Sequence, residues 1–188
     1  MNLKEITKDL LVKVAESDER AFSNLFNIHS FKAYRFAYYF LKSKALCDEV
    51  VSDVFISIWN NRKKIDRITN FEAYLFTLTK NQSLNYLDKI SRTPAFTSDI
   101  PPETMSGFEN PEEKIITNEL EKAINEAIDN LPEKCKIIFL MSREDKLRHH
   151  EIAEILSISE KTVNAQIGNA LKKLYSELQK YLYIFLSF

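Results

Sequence analysis

Glycine is nearly absent from this chain, since Gly107 and Gly168 are its only two glycines in 188 residues. That scarcity excludes the Gly-rich loops with which many enzymes cradle phosphate groups. Cysteine is equally scarce, and Cys47 and Cys135 match no metal-binding or redox spacing, so both are predicted to be free thiols in a reducing compartment. The N-terminal residues mix charged with apolar side chains, unlike a signal peptide. We therefore expect a cytoplasmic protein that is not itself a membrane protein.

Residue combinations typical of enzymes are also missing. His29 stands alone in an aromatic-rich segment and is predicted to lie in the core, whereas the adjacent His149 and His150 would point apart on a helix. Glu49 and Asp53 are one helical turn apart, but no Glu-x-x-His motif completes a carboxylate metal site. No nucleophile elbow is present either. We predict no catalytic residue, no metal site and no cofactor.

Apolar residues recur at steps of three and four along most of the chain, and no segment alternates as a β-strand would. The fold class is therefore predicted to be all-α. Asn70 and Pro132 are typical helix start signals. The predicted helices are at about 6–16, 19–41, 45–63, 71–91, 113–130, 133–144, 148–156 and 160–182.

The charge distribution predicts two domains. The net charge is only −1, but residues 93–112 carry four acidic side chains, no Lys or Arg, and four of the five prolines. Such a segment is typical of a linker. We expect helical domains at 5–92 and 113–180, joined by the acidic, Pro-containing linker 93–112 and followed by an apolar tail at 181–188.

Residues 147–174 have the pattern of a helix-turn-helix. A short helix with one apolar side is interrupted at 157–159, where Ile158 can fill the space beneath the turn and Ser159 can cap a second helix. The predicted buried stripe of that helix consists of Val163, Ile167, Ala170, Leu171 and Leu174. Its opposite side holds Lys161, Thr162, Ala165, Asn169 and Lys172, which favours DNA binding over the alternative of a helical hairpin in a core.

The helix near 45–63 has two stripes. The predicted inward stripe consists of Val50, Val51, Val54, Phe55 and Ile58. The outer stripe consists of Glu49, Ser52, Ile56 and Trp59, flanked by Asp48 and Asp53. An apolar pair rimmed by carboxylates is typical of a docking patch. The alternative is that another helix covers Trp59.

The helix at 71–91 is also two-faced. The predicted core side is Ala73, Phe76, Leu84 and Leu87, and another side carries Tyr74, Leu78, Asn81 and Asn85. An aromatic ring and two amides could stack an unpaired base and bind its edge. Cations within reach of a nucleic-acid backbone precede it at Arg62, Lys63, Lys64 and Arg67. The alternative is a solvated basic turn beside a neutral polar face.

Several segments, taken in order, resemble conserved blocks of the extracytoplasmic-function (ECF) sigma factors, the small two-domain branch of the bacterial RNA polymerase sigma family. They are AFSNLFNIH, CDEVVSDVFISIWNNR, FEAYLFTLTKNQSLNYLDK, LPEKCKIIFLMSRED and HHEIAEILSISEKTVNAQIGNALKKL, and the resemblance covers about residues 5–175. LPEKC together with EIAEILSIS and KTV is most similar to the iron-citrate-type (FecI-like) subgroup common in Bacteroidetes.

The resemblance implies a role for each set of residues. Asp48, Glu49, Ser52, Asp53, Ile56 and Trp59 would dock on the clamp coiled coil of the largest polymerase subunit. Arg67, Asn70, Tyr74, Asn81 and Asn85 would melt the minus-ten element and capture a flipped base. Lys161, Thr162, Asn164, Ala165, Gln166, Asn169, Lys172 and Lys173 would contact the minus-thirty-five element in the major groove.

The resemblance also implies partners and a domain type. The C-terminal domain would be the sigma region 4 helix-turn-helix, which is winged-helix-like, and the N-terminal domain would be sigma region 2. The implied partners are core RNA polymerase, through its clamp and through the flap of the second-largest subunit, promoter DNA, and a membrane-bound anti-sigma factor. The acidic linker would thread toward the polymerase active site and RNA exit path.

Three residues depart from the family pattern. Gln166 and Asn169 stand where many relatives have Arg or Lys, and Arg148 stands where a better N-cap is usual, so the first helix of the pair is expected to be poorly capped. Gly168 lies within a helix at a cost of about 1 kcal/mol relative to Ala.

The apolar tail at 181–188 is expected either to extend the last helix and fold back, or to bind an anti-sigma factor.

Two other functions stay open at this point. A helix-turn-helix regulator that acts without polymerase would need neither the Trp59 patch nor the Asn81 stripe. An all-α adaptor without a nucleic-acid role would leave the Lys161–Lys172 face unexplained.

Overall fold

The computed structural model describes the backbone of residues 3–92 and 117–186, and the side chains of residues 5–92 and 122–179. Every regular element in these ranges is a helix, so the all-α prediction is confirmed. The elements are α1 (Leu3–Ala15), α2 (Glu19–Leu41), α3 (Lys44–Asn60), a 3-10 helix (Arg62–Arg67), α4 (Phe71–Arg92), α5 (Thr117–Asp129), α6 (Glu133–Arg143), α7 (His149–Leu156) and α8 (Glu160–Leu186).

The helices form two compact units, one from α1–α4 and one from α5–α8. The predicted linker at 93–112 and the predicted start of the fifth helix at 113 lie outside the described residues. The third predicted helix ends earlier than expected, because the Asn61 side-chain amide donates to the Ser57 carbonyl at 2.8 Å and the chain continues as a 3-10 helix. Pro132 is the N-cap residue of α6, in agreement with its prediction as a helix start signal.

The N-terminal unit is built around α2, which packs against α1, α3 and α4. The predicted inward stripe of α3 is confirmed, since all five of its residues are buried. His29 lies in this core as predicted, with 1% of its surface exposed and Nε2 3.0 Å from the Thr7 hydroxyl. Desolvation lowers the pKa of His29 to about 4, so the imidazole is neutral in the folded protein. Cys47 and Cys135 are buried free thiols, as predicted.

The predicted core side of α4 is wrong in its second half. Leu84 is 46% exposed and Leu87 is 37% exposed, whereas Thr79 and Ser83 are buried. The Thr79 hydroxyl donates to the Leu75 carbonyl at 2.8 Å, which satisfies its hydrogen-bonding need inside the core. Apolar periodicity misplaced this face because two small hydroxyl residues occupy positions that the pattern assigns to apolar ones.

In the C-terminal unit, α8 packs against α5, α6 and α7. Its buried stripe is narrower than predicted: Val163, Ala170 and Leu174 are buried and Ile167 is half-buried, but Leu171 is 55% exposed. The prediction for Leu171 is therefore wrong, since only the narrow side of α8 that faces the shorter helices is covered. The α8 backbone is helical to Leu186, so this part of the tail extends the last helix, while its folding back onto the domain stays a prediction. Within the described residues, no helix is long and apolar enough to cross a bilayer.

Candidate nucleic-acid interface

The turn between α7 and α8 has the geometry of a helix-turn-helix. Ser157 adopts a left-handed conformation with φ 57°, and its N–H bonds back to the carbonyls that end α7. Ile158 follows, half-buried, with its N–H 3.0 Å from the Ala153 carbonyl. The Ser159 hydroxyl then accepts the Thr162 N–H at 3.0 Å, which confirms the predicted N-cap of α8.

The outer face of α8 is open to solvent. All of its predicted DNA-contacting residues are exposed except Gln166, which is half-buried; the exposed ones are Lys161, Thr162, Asn164, Ala165, Asn169, Lys172 and Lys173. This face holds three lysines and no carboxylate after Glu160, up to Lys173. The small Ala165 leaves room for close approach of another surface. Such a face suits the major groove, where helices bind phosphates and base edges.

Two residues of this face already have intramolecular contacts. The Asn164 amide oxygen lies within hydrogen-bond distance of His149 Nδ1, which ties the start of α8 to the start of α7. The Thr162 hydroxyl lies 2.8 Å from that of Ser159. These contacts position the N-terminal turn of α8. A Cβ placed on Gly168 would meet nothing within 4 Å, so packing within the domain does not explain a glycine there.

The start of α7 is better capped than the sequence indicated. An arginine side chain cannot accept a hydrogen bond, so Arg148 gives no cap of its own. Glu151 compensates, because its carboxylate accepts the Arg148 backbone N–H at 2.8 Å and lies 3.6 Å from the Arg148 guanidinium. The expectation of a poorly capped helix is therefore wrong, because Glu151, three positions after Arg148, supplies the cap.

On α3, an acidic and apolar patch faces solvent. Asp48, Glu49 and Ser52 are exposed, and Ile56 is 57% exposed. The Ser52 hydroxyl donates to the Asp48 backbone carbonyl at 2.9 Å. An exposed Ile rimmed by carboxylates suits a basic partner with an apolar centre.

Trp59 is not free on this surface. Its ring centre lies 4.9 Å from that of Phe22 on α2, and the Arg62 guanidinium carbon lies 4.4 Å from it. The alternative that another helix covers Trp59 is thus correct for one side of the ring, and the residue is half-buried against the core.

Asp53 points toward α4. One of its carboxylate oxygens, Oδ2, accepts the Gln82 amide at 2.8 Å and the Tyr86 hydroxyl at 2.9 Å. Burial, followed by the nearby Asp53 and Glu49 carboxylates, raises the pKa of Tyr86 to about 12, so the phenol keeps its proton. Sequence reasoning missed Gln82 and Tyr86, although both fall one helical position after the predicted Asn81 and Asn85.

The predicted strand-binding face of α4 is partly exposed. Asn81 and Asn85 are exposed and Tyr74 is half-buried, with its ring centre 6.5 Å from that of Phe71 and its pKa raised by burial. Asn70 caps α4, because its side-chain oxygen accepts the Ala73 N–H at 3.1 Å. This face of α4 therefore carries two exposed amides and one half-buried aromatic ring.

The basic residues before α4 divide into two kinds. Lys63, Lys64 and Arg67 are exposed on the 3-10 helix and its end. Arg62 instead donates to the Ser17 hydroxyl and to the Trp59 carbonyl, each at 2.9 Å, and so holds the 3-10 helix to the turn that follows α1. In the part of the chain that the structure describes, no three His, Cys, Asp or Glu side chains are placed to share a metal ion.

Comparison with known proteins gives consistent matches. Residues 25–93 match the family model described as Sigma-70 region 2, and residues 121–174 match the one described as Sigma-70, region 4. Among curated proteins, the chain is 24% identical over 187 residues to the ECF RNA polymerase sigma factor SigW of Bacillus subtilis, covering 94% of this chain and 99% of that protein. It is 25% identical to the ECF RNA polymerase sigma-E factor of Haemophilus influenzae, covering 94% and 97% of the two chains.

Two solved structures share the fold. One is CnrH in complex with the cytosolic domain of CnrY, with a TM-score of 0.60, 21% identity, and coverage of 93% of this chain and 98% of that one. The other is the sigma factor RpoE in complex with the anti-sigma factor NepR from Bartonella quintana, with a TM-score of 0.63, 16% identity, and coverage of 84% and 96%.

Proposed function

This chain belongs to the sigma-70 family as an ECF sigma factor, and we propose that its two helical domains divide the work of promoter recognition and DNA opening. The observation that carries the proposal is the presence in one chain of a region 2 match and a region 4 match, each with an exposed polar helix face. The protein would contribute recognition and duplex opening, with the chemistry left to the polymerase.

The α8 face is proposed to bind the minus-thirty-five element in the major groove. Lysines at 161, 172 and 173 would contact phosphates, and the amides of Asn164, Gln166 and Asn169 would reach base edges. Thr162 and Ala165 would permit close approach. Because two positions carry neutral amides rather than cations, phosphate attraction should be weaker here and base contacts relatively more important.

The face of α4 that carries Tyr74, Asn81 and Asn85 is proposed to hold the opened minus-ten strand. Asn81 and Asn85 are exposed and can hydrogen-bond the edge of an unpaired base, and the Tyr74 ring offers an edge beside them. Arg67 is exposed at the end of the 3-10 helix and can contact a backbone phosphate. Asn70 contributes by capping α4 and fixing where it begins.

The α3 patch is proposed to dock on the clamp coiled coil of the largest polymerase subunit. Ile56 would supply the apolar centre, while Asp48, Glu49 and Ser52 would supply a polar rim. Asp53 and Trp59 belong to the same predicted set but are half-buried, so they would hold the patch in place through their contacts within the N-terminal unit. A second contact, between the C-terminal domain and the flap of the second-largest subunit, is part of the same proposal.

An anti-sigma factor is the proposed regulator, since the solved relative from Bartonella quintana is bound to one. We further propose that the regulator is membrane-bound and that the chain belongs to the iron-citrate-type subgroup, on the strength of the LPEKC and EIAEILSIS segments. The place of action would be the cytoplasm, where polymerase works. The acidic segment 93–112 is proposed to enter the RNA path of the polymerase, where its net charge of −4 would suit a basic channel.

Run-off transcription tests the proposal most directly. Core RNA polymerase is incubated with a promoter library in the presence and absence of this protein, and the transcripts are sequenced. We expect start sites that depend on the protein and that share two elements upstream. Absence of any protein-dependent start would overturn the sigma function. Retarded migration of duplex DNA without polymerase would then favour a helix-turn-helix regulator.

A further inference from the structure

The α3 and α4 helices are joined by hydrogen bonds that the docking and base-capture proposals do not use, although Asp53 belongs to the predicted docking stripe. Asp53 on α3 accepts two hydrogen bonds through the same oxygen, one from Gln82 and one from Tyr86, both on α4. We propose that this triad is a positioning device that fixes the rotation of α4, so that docking of α3 on polymerase sets the direction of Asn81 and Asn85.

The geometry of a helix gives the triad this role. Successive residues of an α-helix are separated by about 100° of rotation. Gln82 follows Asn81, and Tyr86 follows Asn85, so the bonded pair and the exposed pair occupy two adjacent stripes of α4. Holding one stripe against α3 leaves the other fixed at the solvent edge. Loss of the hydrogen bonds would let α4 rotate and move both amides together.

The chemistry of the triad favours a persistent contact. Hydrogen bonds to a carboxylate are stronger than those between neutral groups. The Tyr86 ring packs against the core of the N-terminal unit, and the Lys89 ammonium lies 5.1 Å from its centre. The Tyr86 ring is therefore held in position against the N-terminal core.

The carboxylates of α3 also differ in the contacts that they make. Asp48 is exposed and can contact a partner, and Glu49 is exposed although its carboxylate also lies near the Tyr86 hydroxyl. Asp53 is half-buried and accepts hydrogen bonds from two residues of α4. Asp53 is thus a positioning residue rather than a docking residue. This assignment rests on the proposed function and changes one of its residues.

The test compares Tyr86→Phe, Asp53→Ala and the double variant with the wild type, and uses Tyr175→Phe as the matched control because Tyr175 is an exposed tyrosine of the other unit. Core polymerase affinity is measured by fluorescence anisotropy, and promoter opening by permanganate reactivity, well below the unfolding temperature. We expect Tyr86→Phe to lower opening about tenfold, the lower end of the effect of losing one hydrogen bond to a charged acceptor, and to change core affinity less than twofold. The double variant should open about as well as Asp53→Ala, because that single change already removes the hydrogen bond from Tyr86 to Asp53.

The positioning role would be overturned if Tyr86→Phe opened the promoter within twofold of the wild type. It would also be overturned if this variant lost core polymerase affinity and promoter opening equally. A second measurement works without polymerase: amide hydrogen exchange in the free protein should rise across residues 78–89 in Tyr86→Phe and not in Tyr175→Phe. Unchanged exchange there would also overturn it. If the wild type failed to bind polymerase while exchange rose as expected, the sigma function would fall and the α3–α4 contact would stand.

Discussion

The Arg62 guanidinium carbon lies 4.4 Å from the centre of the Trp59 ring, and Arg62 also donates to the Trp59 backbone carbonyl. With Phe22 on another side, this stacking makes Trp59 part of the wall of the N-terminal unit. The Trp59 ring therefore contributes to the stability of the N-terminal unit. A substitution of Trp59 would change stability as well as any contact with a partner.

Trp59→Ala should destabilise the N-terminal unit by about 2 kcal/mol, because a half-buried aromatic ring and its cation–π contact are both lost. Urea unfolding followed by circular dichroism measures the change. Arg62→Ala, which removes the cation but leaves the ring, should cost less. Equal stability of Trp59→Ala and wild type would show that the ring is a surface feature after all.

Ile56→Ala is the cleaner test of docking, because this side chain is exposed and alanine favours a helix. Burying an isoleucine contributes about 1.5 kcal/mol, so the Kd for core polymerase should rise about tenfold. The unfolding midpoint should be unchanged. Val12→Ala removes a similar exposed side chain from α1 and serves as the control. A Kd equal to that of the control would remove Ile56 from the interface.

Asn81→Ala should impair strand opening more than duplex binding, because the amide is proposed to bind a base only after that base has left the stack. Permanganate reactivity of the minus-ten region reports opening, and gel retardation of the holoenzyme reports binding. Asn24→Ala changes an exposed asparagine of α2 and is the control. Equal reactivity in both variants would contradict base capture.

Lys172→Ala should reduce the salt dependence of promoter binding. One phosphate contact corresponds to a change of about one unit in the slope of log K against log salt concentration. Lys122→Ala removes an exposed lysine of α5 that is not among the predicted DNA-contacting residues, and should leave the slope as it is. The slope is obtained by titration across several salt concentrations. If Lys172→Ala also leaves the slope unaltered, that lysine does not contact the backbone.

Acid should destabilise the N-terminal unit through His29. Its pKa is lowered from 6.5 to about 4 in the folded state, so the unfolded chain binds more protons between these values. The stabilisation is thus fully present above pH 6.5 and is lost as the pH falls toward 4. Between pH 7.5 and 5 we expect a loss of about 2 kcal/mol that is missing in His29→Gln. Urea unfolding at each pH measures it, with His150→Gln as the control; parallel pH profiles for wild type and His29→Gln would exclude His29 as the cause.

Most of the architecture could be predicted from the sequence, because its signals are local. Helix spacing, the Ser159 and Asn70 caps, and the inward stripe of α3 each depend on residues a few positions apart, and the structure confirms them. The order of the conserved segments determined the family in the same way, and the region 2 and region 4 matches confirm it.

Contacts between distant segments were decided only by the tertiary structure. Leu84 and Leu171 have the spacing of buried residues and are exposed, because burial depends on which side of a helix its neighbours cover. Asp53 and Tyr86 are 33 positions apart, and no periodicity within one helix could have paired them. The helices of this chain are specified by residues close together in sequence. The polar contacts between helices depend instead on how the helices pack, because the packing of the whole core sets the direction in which each side chain points.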